Sequence, residues 1–151
     1  MGDLSTGPYL SSAFLCERVL EEKDGVLSAI RIVDRILVQG QAPPGAEAPP
    51  MPSVGIRLIA LIALKNGPAR GSRRLELIPK APSGLKLPSV SVPVLLEGDD
   101  DRGVNLRLQM NLQAREEGIY WFDVRLDGEL LTRMPLRIVY QIVTTTAPPQ
   151  L

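Results

Sequence analysis

The chain has 151 residues, 44% of them apolar, and its 17 basic side chains balance 17 acidic ones. That length suits one domain spanning residues 1–151, large enough to bury roughly 70% of its unfolded surface without staples. The balance argues against a general polyanion binder, whose affinity scales with cationic contacts. The sequence has no histidine and one cysteine, Cys16. Ser-His-Asp and Cys-His nucleophile systems, an internal disulfide and a structural zinc site are thereby excluded.

A lone cysteine fits a reducing compartment. The first eight residues, from Met1 to Pro8, lack the basic and apolar regions of a signal peptide. The most apolar run, Leu58 to Leu64, is far shorter than the about 20 residues of a membrane span. The expectation is a cytoplasmic protein with no membrane partner.

Near the N-terminus, Cys16 follows Phe14 and Leu15 on a strand and reads as a small buried apolar residue. Asp24-Gly25 then marks a hairpin. A three-residue loop, Lys23-Asp24-Gly25, sets Glu17 opposite Arg31. Residues 41–53 hold five prolines and read as an extended surface loop inside the domain. Val54 to Leu64 is apolar on both faces and reads as a central strand, with a short buried helix as the rival.

Shorter strands are expected at 73–79 and 89–97, the second at an edge or a bulge because of Pro93. Between Lys65 and Lys86 the bases Arg70, Arg73, Arg74 and Lys80 outnumber the acid Glu76. No aromatic residue interleaves them, so base stacking is not on offer and no nucleic acid is expected. A charged edge that keeps other sheets away is the simpler reading. Gly67 to Arg73 is glycine-rich but lacks the spacing and lysine of a phosphate-binding loop.

Asp99-Asp100-Asp101 lacks the spaced acids and closing glutamate of a calcium loop and reads, like Glu116-Glu117, as a solvated turn. No cofactor or metal is expected. The clearest pattern runs from Val104 to Gln113. Val104, Leu106, Leu108, Met110 and Leu112 alternate with polar residues, as on a half-buried strand. Tyr120, Phe122 and Val124 alternate with Trp121, Asp123 and Arg125, and Leu136, Ile138, Tyr140 and Ile142 continue the same way.

Asp127-Gly128 marks a second hairpin. A two-residue loop pairs Phe122 with Arg133 and turns that cation into the core. A three-residue loop, Leu126-Asp127-Gly128, sets Trp121 opposite Arg133 and Arg125 opposite Glu129 instead, and is preferred. Residues 144–151 read as a frayed tail. The expected fold is all-β: an antiparallel β-sandwich of about eight strands.

Glu116-Glu117-Gly118-Ile119-Tyr120-Trp121-Phe122 resembles the corner before strand F of immunoglobulin-like sandwiches. The resemblance implies that the Tyr120 hydroxyl ties the corner to nearby backbone, and that Phe122 takes the place of the antibody cysteine. The chain as a whole resembles members of an uncharacterised bacterial family. The segments carrying that likeness are Ala13 to Cys16 leading into Asp24 to Ser28, and Gly118 to Phe122 with Leu131 to Leu136. High Ala, Pro and Arg usage fits a GC-rich bacterial genome. No activity is established for that family, so the resemblance implies no functional residue.

The functional expectation is a non-catalytic protein-binding or scaffolding module. The alternative is a small-ligand carrier with a pocket between its sheets. Trp121 and Arg133, with Asp123 and Arg125 on the same outward face, are the candidate partner-binding residues, since Trp and Arg are frequent interface anchors.

Overall fold

The computed structural model describes residues 6–99 and 101–144, and among them it has nine strands and no helix. In chain order these are β1 (Tyr9–Glu21), β2 (Leu27–Ile32), β3 (Arg35–Ala42), β4 (Val54–Lys65) and β5 (Arg70–Lys80). β6 (Val90–Glu97), β7 (Gly103–Ala114), β8 (Gly118–Leu126) and β9 (Glu129–Thr144) follow. One sheet has the order β2-β1-β4-β7 and the other β3-β9-β8-β5-β6. The arrangement is a sandwich of two sheets. Of the expected tail, residues 144–151, Thr144 instead ends β9, and residues 145–151 lie outside the described residues, as does Asp100.

Patterning explains most of this. In β7, Leu108, Met110 and Leu112 point into the core while Arg107, Gln109 and Asn111 stay exposed. β4 lies between β1 and β7 and buries Leu58, Ala60, Ile62 and Leu64, so the two-faced apolar run is an interior strand and not a helix. Pro93 sits on β6, an edge strand, where a missing amide costs no ladder bond on the open side. Ile62 and Leu64 of one sheet share a continuous core with Leu75, Phe122, Leu136 and Ile138 of the other. Full burial of side chains of this size contributes about 1.5–3 kcal/mol each. Cys16 is fully buried, its thiol donates to the Ile59 carbonyl, and burial raises its pKa.

The first hairpin follows the expected register. The Glu22 amide donates to the Val26 carbonyl, and the Gly25 amide to the Glu22 carbonyl, closing a loop over Lys23-Asp24-Gly25 with Gly25 at φ 85°. Arg18 pairs with Ile30 and Cys16 with Ile32, and Arg31 Nε meets Glu17 Oε2 at 2.9 Å.

The second hairpin differs. Leu126 pairs with Glu129, so the loop is the two residues Asp127 and Gly128, at φ 48° and 83°. Positive φ at both positions is what a tight hairpin turn of matching twist requires. Arg125 pairs with Leu130, then Val124 with Thr132, and Leu131 is the extra residue of a bulge. Beyond it Asp123 faces Arg133 and Trp121 faces Pro135. The bulge resolves the conflict between a two-residue loop and an outward Arg133. One inserted residue flips the alternation of everything after it.

Two further expectations need correction. Among the described residues there are nine strands where about eight are expected, and the one that the sequence reading does not place is β3. The sandwich is also not wholly antiparallel, because β3 runs parallel to β9, from Arg35 opposite Arg137 to Ala42 opposite Thr144. The proline-rich segment forms the β3–β4 connection, although Gln41 and Ala42 at its start belong to β3.

Candidate functional site

Two places bring chemistry together. The first is the outer face of β8. Trp121, Asp123 and Arg125 share that face, as the alternation requires, and Arg133 joins them from β9. Asp123 is nevertheless only 1% exposed. Lys80 Nζ meets its Oδ2 at 2.8 Å from β5, and Arg133 Nε meets its Oδ1 at 2.8 Å from β9. Arg133 also lies over the Trp121 ring, 5.2 Å from its centre, a favourable cation–π contact. Burial pushes the Asp123 carboxyl up, but hydrogen bonds and charge from Lys80 and Arg133 outweigh it, and its pKa falls below the ordinary value. Arg125 stands apart, opposite Glu76 on β5, with its guanidinium on the Gly128 carbonyl. Three of the four predicted residues thus form one cluster, joined by Lys80, which sequence reasoning had placed in a basic segment.

That basic segment is dispersed. Arg73 pairs with Asp127, Lys80 with Asp123, and the Arg74 guanidinium donates to Ser91 Oγ. The Glu116-Glu117 pair does more than turn the chain. Glu116 accepts from the Ser83 amide and Glu117 from the Tyr140 amide. Among the described residues no group of three or more Asp, Glu or Cys side chains could hold a metal ion.

The second place is a cavity of about 620 Å³ between the sheets, at the side where β6 and β7 form the edges. Its cause is legible in the chain. β6 leaves β5 after Leu77 pairs with Val90, and two residues on Pro79 has no amide to continue a ladder. The chain then arcs outward. The Ala81 amide donates to the Leu85 carbonyl and the Leu87 amide to the Pro79 carbonyl, so beyond Leu77 the chain returns to β5 at an isolated bridge between Lys80 and Lys86. The space under this arc is the cavity.

Its floor is Met110 and Leu112 of β7 with Tyr120 and Phe122 of β8. The arc supplies Leu85, Leu87 and Val90, and Leu85 is 66% exposed at the mouth. On the β7 side the lining is unbroken from Gln109 to Gln113, Met110 and Leu112 included, and Arg115 and Glu116 continue it. Consecutive residues of one strand can all line a space only along that strand's edge, because their side chains alternate between faces. The cavity therefore borders the unpaired side of β7.

The corner at the end of β7 is held firmly. The Tyr120 hydroxyl donates to the Glu116 carbonyl at 2.7 Å and accepts from the Glu116 amide at 3.3 Å. Gly118 has φ 129°, and any Cβ there would come within 2.9 Å of Pro82. Glycine is thus required for the corner to pack against the arc. The sequence offers a pocket between the sheets only as the alternative reading and assigns to it none of the residues that line this one. The cavity's one advance signal was Pro79, which ends the β5–β6 pairing.

Fold and site define a two-sheet β-sandwich with an apolar cavity along one edge. The model of a family of unknown function, DUF6941, matches residues 11–139. The chain belongs to that family, as its resemblance to uncharacterised proteins implied. No curated protein matches it. Among the described residues no helix is long and apolar enough to cross a membrane.

Proposed function

We propose that this chain is a non-catalytic protein-binding module and that it receives its partner at the cavity beside β7. The observation that carries this reading is the cavity itself. Its size falls in the range of binding pockets, its floor is apolar, and a few polar groups gather on one wall. The absence of histidine from the sequence supports a binding role over a catalytic one.

The same volume favours a second reading, a carrier for a small apolar ligand. Affinity purification from the native host, paired with native mass spectrometry of the purified chain, separates the two. A stoichiometric protein partner that Ser89→Trp abolishes supports the module. A small molecule retained in the mass spectrum, with no protein partner, selects the carrier.

The Trp121–Arg133 face is the second candidate surface. Its charges already satisfy one another, which favours a supporting role for it. Loss of the partner in a folded Trp121→Ala, Arg133→Ala variant would move the binding site there.

The proposal extends to class and setting. The tie from Tyr120 to Glu116 supports an immunoglobulin-like corner. The single buried cysteine supports a cytoplasmic location. Composition supports a bacterial source.

A further inference from the structure

Sheet edges invite other strands, and β proteins blunt them with a proline, a bulge, a lysine or a short strand. β6 carries Pro93, and β2 has only six residues. β7 has none of these devices. It is twelve residues long, contains neither proline nor lysine, and pairs with β4 from Gly103 to Ala114 without a shift in register. Every second residue of such a strand directs its amide and carbonyl away from its neighbour. Gln109 to Gln113 all line the cavity, so this stretch of the free edge lies beside it.

Charge narrows the occupant. From Gly103 to Arg115 there are two arginines and no acid, and the two acids that follow, Glu116 and Glu117, already accept from the Ser83 and Tyr140 amides. Arg107 reaches Glu21 at 3.7 Å, but the Arg115 guanidinium has no ion pair among the described residues. A second copy of the chain is a poor occupant. Antiparallel pairing of two β7 strands about Asn111 sets Arg107 opposite Arg115 twice, and like charges directly opposite destabilise a ladder.

We propose that β7 is a strand-addition site for an extended acidic peptide of a partner protein. The peptide pairs with the free edge of β7 and turns every second side chain, apolar, into the cavity. An aspartate or glutamate lies against Arg115. Main-chain bonds supply affinity in this mode, and the cavity and the arginine supply specificity. The inference rests on reading the chain as a protein-binding module.

The test is selection of a display library of random twelve-residue peptides on the immobilised full chain. Enriched peptides are then synthesised, and amide hydrogen exchange of the chain is followed with each. Enriched peptides are expected to alternate apolar and polar residues and to carry an acid near one end. Binding is expected to slow exchange at Gln109 to Gln113. Arg115→Glu, an exposed substitution that leaves the fold intact, is expected to weaken binding by about tenfold or more.

Peptides that bind without slowing exchange in β7, or that ignore Arg115→Glu, overturn strand addition. If Ser89→Trp still abolishes their binding, the protein-binding reading stands. A chain that dimerises through β7 also overturns the acidic partner. Failure to enrich any peptide, together with a small molecule retained by the purified chain, overturns both.

Discussion

Arg133 stands directly opposite Asp123 across the β8–β9 ladder, and its Nε donates to Asp123 Oδ1 at 2.8 Å. Lys80 holds the other carboxylate oxygen from the far side, so one carboxylate staples three adjacent strands, β5, β8 and β9. Both cations keep part of their length in water, with side chains 27% and 47% exposed, while the carboxylate keeps almost none.

Removing that carboxylate is expected to be costly. Asp123→Ala loses two charge-assisted bonds, and a destabilisation of about 1–3 kcal/mol is expected. The cost stays below that of breaking a fully buried pair because both cations reach solvent. A urea denaturation midpoint equal to that of the wild type would show that the staple contributes nothing.

The same group predicts an acid limb. Its pKa is depressed in the fold, so the unfolded chain takes up this proton first as pH falls. The stabilisation is present above about pH 4, the ordinary carboxylate range, and is lost as pH falls through the folded value. Below about pH 4 the wild type should therefore lose stability more steeply than Asp123→Ala. Parallel curves would remove the linkage.

Gly128→Val should destabilise by about 1–2 kcal/mol, the strain of a β-branched residue in the left-handed region. A Cβ at Gly128 would meet nothing within 4 Å, so backbone strain dominates what is measured. The outcome checks the tight turn through the midpoint of unfolding. An unchanged midpoint would mean that the turn relaxes without cost.

Tyr120→Phe keeps the ring and deletes the bonds to both backbone groups of Glu116. An unpaired buried acceptor costs roughly 1–3 kcal/mol, and a loss of that order is expected. Neutral behaviour in thermal unfolding would mean that water replaces the hydroxyl.

Glu17→Ala is expected to cost less than about 1 kcal/mol, although its partner lies only 2.9 Å away. Arg31 and Glu17 are 73% and 44% exposed, so solvent screens the pair. A larger loss in urea would show that this bridge fixes the β1–β2 register.

Local alternation and local turns were legible in the sequence. The strand at Gly103–Ala114 and the inward set Tyr120, Phe122 and Val124 follow from period two alone. The Lys23-Asp24-Gly25 loop follows from one glycine and one opposite-charge pair. Reasoning failed where a residue's place depends on partners distant in sequence. The Leu131 bulge answers a demand made by both strands at once, and side-chain parity alone suggested the wrong loop. Asp123 has the parity of a wet face yet is buried, because Lys80, forty-three residues away, and Arg133 close over it. The cavity gathers residues from three separate segments, and no one of them is unusual by itself.

The parallel pairing of β3 with β9 has a consequence for how the chain is made. Arg35 pairs with Arg137, and Ala42 with Thr144. β3 leaves the ribosome early, about a hundred residues ahead of the strand that completes its ladder. Until then its amides, and the apolar side chains of Ile36 and Val38 that pack on the finished core, have no permanent neighbour. Such late, long-range closure is the slow and aggregation-exposed part of building a β protein. A ribosome that stalls within β9 would release a chain whose second sheet lacks one margin.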